Sequence, residues 1–425
     1  MTARIALPRV ASRCCPRGGP IEATLPVSAF VLAGGVGSRL GPLTAIRPKP
    51  LVPFGGHRRL IDFTLSNCAS AGVPEVTLLA QHLAAPLAAY VGDGAPWGFG
   101  RRDARMRVLR PPTGAHYAGT ADAVRYGLAL SDDVAEAVLV LAADHVYAMD
   151  YAAFIEAHLR SGADVTVSVT AVAPAEAHRF GIALVADDGA IVEFEEKPAQ
   201  ARGNLASMAV YAFAPTVLRR LLAIDAAEVS THDLGRDIVP LALELGLDVR
   251  AHRFEGYWQD VGTPESYWRT HRDLLLGDAD LALRAAVGDA CAGAPHGLAF
   301  GPHAGARESR ILGGCSVEGI VERSVIGPGV TIGPGAIVRD SVLLAGTRIE
   351  AGATVDHAIL DERSVVGAGA SVGRVRRAAP FAAPRVARPI TVVASGTRIA
   401  PGAVIPGGAV IEHATGVVTS VRAVA

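Results

Sequence analysis

Aliphatic residues in the C-terminal third recur at a fixed interval of six, and no other feature of the chain restricts its fold as much. Ile320, Ile326, Ile332, Val338 and Leu344 keep this spacing, with Gly-Pro-Gly at 327–329 and again at 333–335. After a slip of one residue Ile349 and Val355 resume it, and a second tract runs through Val393, Ile399, Ile405, Ile411 and Val417. One aliphatic per short strand then points into a shaft, and Gly or Pro-Gly turns each corner, which is the pattern of a parallel β-helix of hexapeptide repeats. Between the tracts, the Pro- and Arg-rich stretch Arg374 to Pro389 breaks the rhythm and reads as a loop.

Upstream the texture is different. Ala29-Phe-Val-Leu-Ala33 is a short apolar run ending in glycines, the mark of a buried strand feeding a Gly-rich turn. Val76 to Ala80 and Ala137 to Ala142 repeat that strand type, and Ala163 to Val172 alternates. Helical stretches such as Ile61 to Ala71 and Ala121 to Leu130 lie between them. Alternating strands and helices imply an α/β fold with a Rossmann-like, doubly wound, mostly parallel sheet, whose ligands bind beyond the carboxyl ends of the strands.

The bulk properties exclude several classes. A chain of 425 residues with 40 basic and 41 acidic side chains has a net charge of −1, so no basic stripe serves a nucleic-acid partner. The longest apolar runs fall far short of the ~20 residues that span a bilayer, so no membrane partner is expected. Five cysteines show no C-x-x-C pair and no zinc spacing, which indicates neither a disulfide framework nor a structural metal and favours a cytoplasmic location. The division expected is a disordered leader at 1–27 lacking the apolar core of a signal peptide, an α/β domain at 28–270, a linker at 271–305, and the β-helix at 306–425 interrupted at 374–389.

Of the 40 basic residues, 38 are Arg and only Lys49 and Lys197 are Lys. Where Arg has served as the general cation, a remaining Lys marks a place for a compact point charge rather than a planar fork. Lys49 lies in Arg47-Pro48-Lys49-Pro50-Leu51, where the flanking prolines predict an extended backbone rather than a helix. Ten residues earlier, Gly34-Gly35-Val-Gly37-Ser-Arg39-Leu40 lacks the third glycine of a dinucleotide fingerprint and the ending of a Walker loop. Its glycines still let backbone N–H groups approach an anion, and Arg39 adds a fork suited to phosphate oxygens.

These stretches, together with Arg59-Leu-Ile-Asp62-Phe-Thr-Leu-Ser66-Asn67-Cys68, resemble the sugar-nucleotide pyrophosphorylases, and within them the glucose-1-phosphate adenylyltransferases. The likeness continues through Tyr117-Ala-Gly119-Thr120, Asp144-His145-Val-Tyr147, Phe180-Gly181, Glu196-Lys197-Pro198, Ser207-Met208, His232-Asp233 and Trp258-Gln-Asp260. The resemblance implies a nucleotidyltransferase domain followed by a left-handed hexapeptide β-helix. It implies ATP and glucose 1-phosphate as substrates, Mg²⁺ as cofactor and ADP-glucose for glycogen or α-glucan synthesis as the purpose. A homo-oligomer, a tetramer by the same resemblance, and a small-molecule allosteric effector are also implied.

By resemblance, Gly34, Gly35, Gly37, Gln81, Gly119 and Thr120 hold the nucleotide, with Gln81 facing the adenine. Arg39, Lys49 and Asp144 are the catalytic set. Asp144 and Asp260 bind the metal, and Tyr117, Gly181, Glu196, Lys197 and Ser207 hold the sugar phosphate. Some positions depart from the family pattern. Ala143 and Ala209 stand where glycines are common, so that a methyl at either place would crowd a ligand. Ile46 stands where some members have an activator-binding Lys, while Arg47 and Arg59 remain at positions linked to effectors. The alternatives are another pyrophosphorylase of dTDP-glucose or GDP-mannose type, and a non-catalytic regulatory subunit. Acyl transfer on the β-helix would need His357 or His413, and both read better as solvated loop histidines.

Overall fold

A computed structural model describes residues 27–100, 104–131, 135–276, 297–373, 389–413 and 416–420. Residues 1–26 of the expected leader, most of the expected linker, Cys14, Cys15, Cys291 and the stretch 374–388 lie outside the described residues, while Val27 already belongs to the first strand. Cys68 and Cys315 are buried free thiols.

The apolar runs of the N-terminal body form the centre of a nine-stranded sheet. Val27–Ala33 lies between Glu75–Ala80 and Ala137–Ala142, parallel to both. Arg105–Leu109 extends the parallel half beyond Glu75–Ala80. The other half is antiparallel, because Leu205–Phe213 runs against Ala137–Ala142, Val165–Ala171 and Gly181–Val185. The sheet is therefore mixed, and a further parallel pair, Val249–Arg253 with Val165–Ala171, lies within its antiparallel half. Helices Ile61–Ser70 and Thr120–Ala129 pack on opposite sides, the first against the core around Leu65, Leu78 and Leu139, the second against Phe30, Val124 and Val140.

Alternation in Val165–Ala171 does not mark a half-exposed strand, since Val165 through Val169 are all buried. The polar members find internal partners instead: Thr166 Oγ1 lies 2.8 Å from His158 Nδ1, and Ser168 Oγ contacts Met208 Sδ.

The described residues from Ala299 onward form a left-handed β-helix. Thr331 pairs with Arg348 and Arg348 with Val365, 17 residues apart each time. The coil is thus three short strands with one corner a residue shorter than three hexads require. The shaft runs Ile326, Ile332, Val338, then Leu343, Ile349, Val355, then Leu360, Val366, Val372, all essentially buried. Five-residue steps correct two positions of the simple period, and the seven-residue step from Ile411 to Val418 corrects a third. Val321 faces the shaft while Ile320 is 40% exposed, Leu343 takes the shaft position in place of Leu344, and Val417 is 57% exposed.

Leu344 has another use. With Val342, Ile359, Ile390 and Val392 it forms an apolar cluster with Leu40, Leu43, Val52, Phe54 and Phe63 of the N-terminal body. Helix Pro264–Leu276 wedges into the same seam, where Tyr267 donates to Pro53 O and Trp268 Nε1 donates to Asp340 O at 2.7 Å. His357 packs edge-on to Trp268 with ring centroids 4.5 Å apart, so it is a seam residue, whereas His413 is exposed. Beside this cluster Arg47 is 6% exposed, and its guanidinium meets Asp361 at 2.9 and 3.0 Å and Glu362 at 3.0 Å. Arg59 reaches Glu362 at 3.3 Å. Arg47 and Arg59 are therefore both engaged by carboxylates of the β-helix.

Candidate active site

Beyond the carboxyl ends of Val27–Ala33, Glu75–Ala80 and Ala137–Ala142 lies a cavity of about 680 Å³. Fourteen of the fifteen residues singled out in the sequence line it, and Gly37 lines the adjoining recess behind Arg39 and Lys49.

The glycine loop leaves the central strand at Gly34 and ends at Gly37, whose φ is +69°. Two constraints demand glycine at that point. A side chain would be strained by the left-handed backbone, and its Cβ would lie 2.8 Å from Lys49 Cβ. Gly37 O accepts from Leu40 N–H at 3.0 Å and from Thr44 Oγ1 at 3.1 Å, which ties the loop to the 3₁₀ segment Ser38–Thr44. Arg39 projects from this segment, exposed and without an ion-pair partner among the described residues.

Lys49 departs from expectation twice. Pro48 is extended, but Lys49–Leu51 closes a single 3₁₀ turn. That turn uses the N–H groups of Leu51 and Val52, at 2.9 and 3.0 Å, so neither proline is asked for a donor it lacks. The ammonium, expected to face phosphates, instead donates to Asp144 Oδ2 at 2.7 Å and Asp260 Oδ1 at 3.2 Å. The burial that would raise both carboxyls is outweighed by Lys49 and by His145, so Asp144 falls to about 2 and Asp260 is lowered too.

Asp144 follows the strand Ala137–Ala142 after one residue, and a two-stranded ribbon carries Asp260 to it. His145–Tyr147 and Trp258–Asp260 run antiparallel, with His145 opposite Asp260. His145 Nε2 sits 3.5 Å from Asp144 and 3.8 Å from Asp260, so two carboxylates and an imidazole offer ligand atoms all within 4.8 Å of one another. The oxygen pair suits a hard divalent cation. That a cationic ammonium is already seated between the carboxylates shows that the cleft accepts positive charge.

The nucleotide-side residues are held by one another. Gln81 Oε1 accepts the Tyr117 N–H at 2.6 Å. Gly119 precedes the helix Thr120–Ala129 and passes so close to the 231–232 backbone that a Cβ would lie 2.2 Å from His232 O. Thr120 Oγ1 donates to Asp233 Oδ2 at 3.1 Å and accepts from Leu234 N–H at 2.9 Å.

At the other end of the cavity Lys197 Nζ donates to Glu196 Oε1 at 2.5 Å, with the Lys197 side chain half exposed. Ser207 Oγ lies 3.3 Å from Tyr211 Oη, and Tyr117 Oη is buried with no hydrogen-bond partner among the described residues. Burial pushes the Tyr117 phenol up to about 12, so it is a standing donor.

The two alanine departures differ in consequence. Ala143 is fully buried in the core beneath the sheet and does not line the cavity. Ala209 does line it, in a bulge of Leu205–Phe213 with φ +52°.

Sequence reasoning assigned no role to His145, Arg179, Asp233, Arg236 or Trp258, which also line the cavity. The only available signal was membership of a quoted motif or adjacency to one, since Arg179 and Arg236 lie one and three residues from quoted positions.

Residues 28–276 match the profile of the nucleotidyl transferases. The chain belongs to the nucleotidyl transferase family. Residues 300–393 match the GlmU-like C-terminal hexapeptide profile. The chain is similar to the glucose-1-phosphate adenylyltransferase of Clostridium botulinum (strain Alaska E43 / Type E3), 42% identical over 322 residues covering 74% of this chain and 83% of the relative. It is similar to the Bacillus mycoides (strain KBAB4) protein of the same name at 40% over 347 residues, 80% of this chain and 91% of the relative. The Bacillus anthracis protein of that name is 41% identical over the same length. A nucleotidyl transferase has to bring phosphates to a cationic centre, which is the arrangement the cavity presents. Among the described residues no helix is long and apolar enough to cross a membrane.

Proposed function

We propose that the chain transfers the adenylyl group of ATP to glucose 1-phosphate, releasing pyrophosphate and forming ADP-glucose for glycogen or α-glucan synthesis. The observation that carries this reading is a single cavity with the Lys49–Asp144–Asp260 cluster near the glycine loop and the Glu196–Lys197 pair beyond it. The names of the relatives supply the base and the sugar.

The reaction is an in-line displacement at the α-phosphorus by a phosphate oxygen of the sugar phosphate, which needs alignment and charge neutralisation more than covalent catalysis. Gly34, Gly35 and Gly37 cradle the triphosphate with backbone N–H groups, and the exposed fork of Arg39 takes the departing pyrophosphate oxygens. Gln81, oriented by its bond to the Tyr117 N–H, presents its amide to the adenine, and Gly119 and Thr120 complete the nucleotide wall. Lys197 faces the attacking phosphate. Glu196, Gly181, Ser207 and the unpartnered Tyr117 hydroxyl meet the sugar. Asp144 and Asp260 are the residues that would hold Mg²⁺, which supplies charge neutralisation at the phosphates when bound.

The division into a catalytic body at 28–270 and a β-helix at 306–425, joined by a linker, belongs to this proposal, as does a homo-oligomer packed through the β-helix. An anionic effector at Arg47 and Arg59 would compete with Asp361 and Glu362 for both guanidinium groups.

Pyrophosphate release from ATP, dTTP, UTP and GTP with glucose 1-phosphate tests the reading. Preference for ATP is expected. Preference for dTTP or GTP would replace it with another pyrophosphorylase, and no turnover combined with stimulation of a partner chain would make this a regulatory subunit.

A further inference from the structure

Lys49 is 7% exposed, yet its ammonium has been spent on no backbone group; both of its partners are the carboxylates of the proposed metal pair. The contacts at 2.7 and 3.2 Å occupy oxygen lone pairs that a divalent ion would need at about 2.0–2.1 Å. Two cations on the same oxygen pair would also lie close enough to repel. The ammonium and a divalent ion are therefore competing occupants of one place.

The backbone at Lys49 has no freedom to resolve this competition. Pro48 and Pro50 flank it, its carbonyl closes a turn to Val52 N–H, and the Gly37 backbone passes against its Cβ. Only the four-carbon stem can move. Gly35 and Arg39, on the loop suited to phosphate, line both recesses that Lys49 lines, so Nζ has an anion-accepting region within the swing of its own side chain.

We infer that Lys49 is the resident counter-ion of the divalent site, and that Nζ exchanges places with the ion: either the ammonium or a divalent cation holds Asp144 and Asp260 together. Nζ released from the carboxylates becomes the cation for the triphosphate. Phosphates that accept Nζ and an ion that accepts the carboxylates then favour one another's binding through a single side chain, a coupling that is reciprocal by necessity. This inference rests on the assignment of the ion to Asp144 and Asp260.

Two measurements on the full chain test it without turnover. The first titrates Mn²⁺ alone, reading free Mn²⁺ by electron paramagnetic resonance. Lys49→Met and Lys49→Gln are expected to bind Mn²⁺ at least tenfold more tightly than the parent; equal or weaker binding overturns the exchange. The second uses the unaltered protein, whose only lysines are Lys49 and Lys197. Acetylation of each is followed by peptide mass, and saturating Mn²⁺ should raise the Lys49 rate several-fold relative to Lys197. An unchanged or lowered ratio overturns the inference even if the variants fail to fold. Mn²⁺ binding that survives Asp144→Asn undiminished would sink the ion assignment itself, and with it the exchange, while leaving adenylyl transfer to be judged by its own assay.

Discussion

Replacing Arg47 by Met should expose how much the seam depends on one ion pair. Arg47 is nearly buried and Asp361 is fully buried, with Nη1 within 3.0 Å of both carboxylate oxygens. Removing one member of such a pair leaves the other as an uncompensated buried charge, at a cost of about 3–5 kcal/mol. Burial already holds the Asp361 carboxyl above its usual range, against the pull of Arg47, and loss of the guanidinium raises it further. A carboxyl whose folded value is raised penalises the fold above that value and not below the unfolded one. The deficit of Arg47→Met should therefore be full near pH 8 and shrink as the pH falls towards about 4. At about 2.1 cal/mol/K of unfolding entropy per residue, a 425-residue chain shifts by about 1 °C per kcal/mol, so the melting temperature at pH 8 should drop by roughly 3–6 °C. Arg47→Met/Asp361→Asn removes the stranded charge and should recover at least half of the loss. Thermal melts of the parent, both single variants and the double variant at pH 8 and pH 5.5 provide the cycle. A double variant no more stable than Arg47→Met at pH 8, or a single variant within about 1 kcal/mol of the parent, would refute the reasoning.

Asp144→Asn should lower turnover by about three orders of magnitude with the circular dichroism spectrum unchanged; near-normal divalent-dependent activity would remove Asp144 from the site. Ala209→Gly relieves a left-handed strain of about 1–2 kcal/mol and gives back part of it as chain entropy. A small rise in melting temperature is expected, and a fall counts against strain at that bulge. His271 accepts from Gly55 N–H at 3.1 Å and lies 2.9 Å from Tyr267 O, so the neutral ring satisfies both, and burial lowers its pKa to about 4. Its contribution of about 3 kcal/mol is complete above the unfolded value near 6.5 and is lost as the pH falls from there to about 4. Urea midpoints of the parent should decline across that window, and a slope no shallower in His271→Phe would exclude this histidine as the cause.

The β-helix was legible because its period belongs to the backbone path itself: any residue that faces the shaft must be aliphatic or small. What the period concealed was the five-residue corner, since Leu343 and Leu344 are chemically interchangeable and only the coil length decides which faces inward. The strands around Val31, Leu78 and Leu139 were readable for a similar reason, being apolar on both faces. The antiparallel half was not, because Leu205–Phe213 carries no mark of direction. At the site, residue types pointed to phosphate chemistry, but the partner of Lys49 could not be read. It depends on a ribbon pairing between His145 and Asp260, distant positions whose side chains do not make the pairing. The carboxylates that Arg47 meets lie 314 and 315 residues away and were equally illegible.

That seam bears on how the chain is made. During synthesis the N-terminal body emerges first, carrying Leu40, Val52, Phe54 and Phe63 on a face that Leu344, Ile359 and Val392 later cover. The guanidinium of Arg47 waits with them, because Asp361 lies 314 residues further along the chain. A ribosome-bound chain stopped after helix Pro264–Leu276 would present an uncovered apolar face and an unanswered cation, a natural surface for a chaperone. The β-helix is thus the last piece of the first body's core, and vectorial folding finishes at the seam rather than at either half.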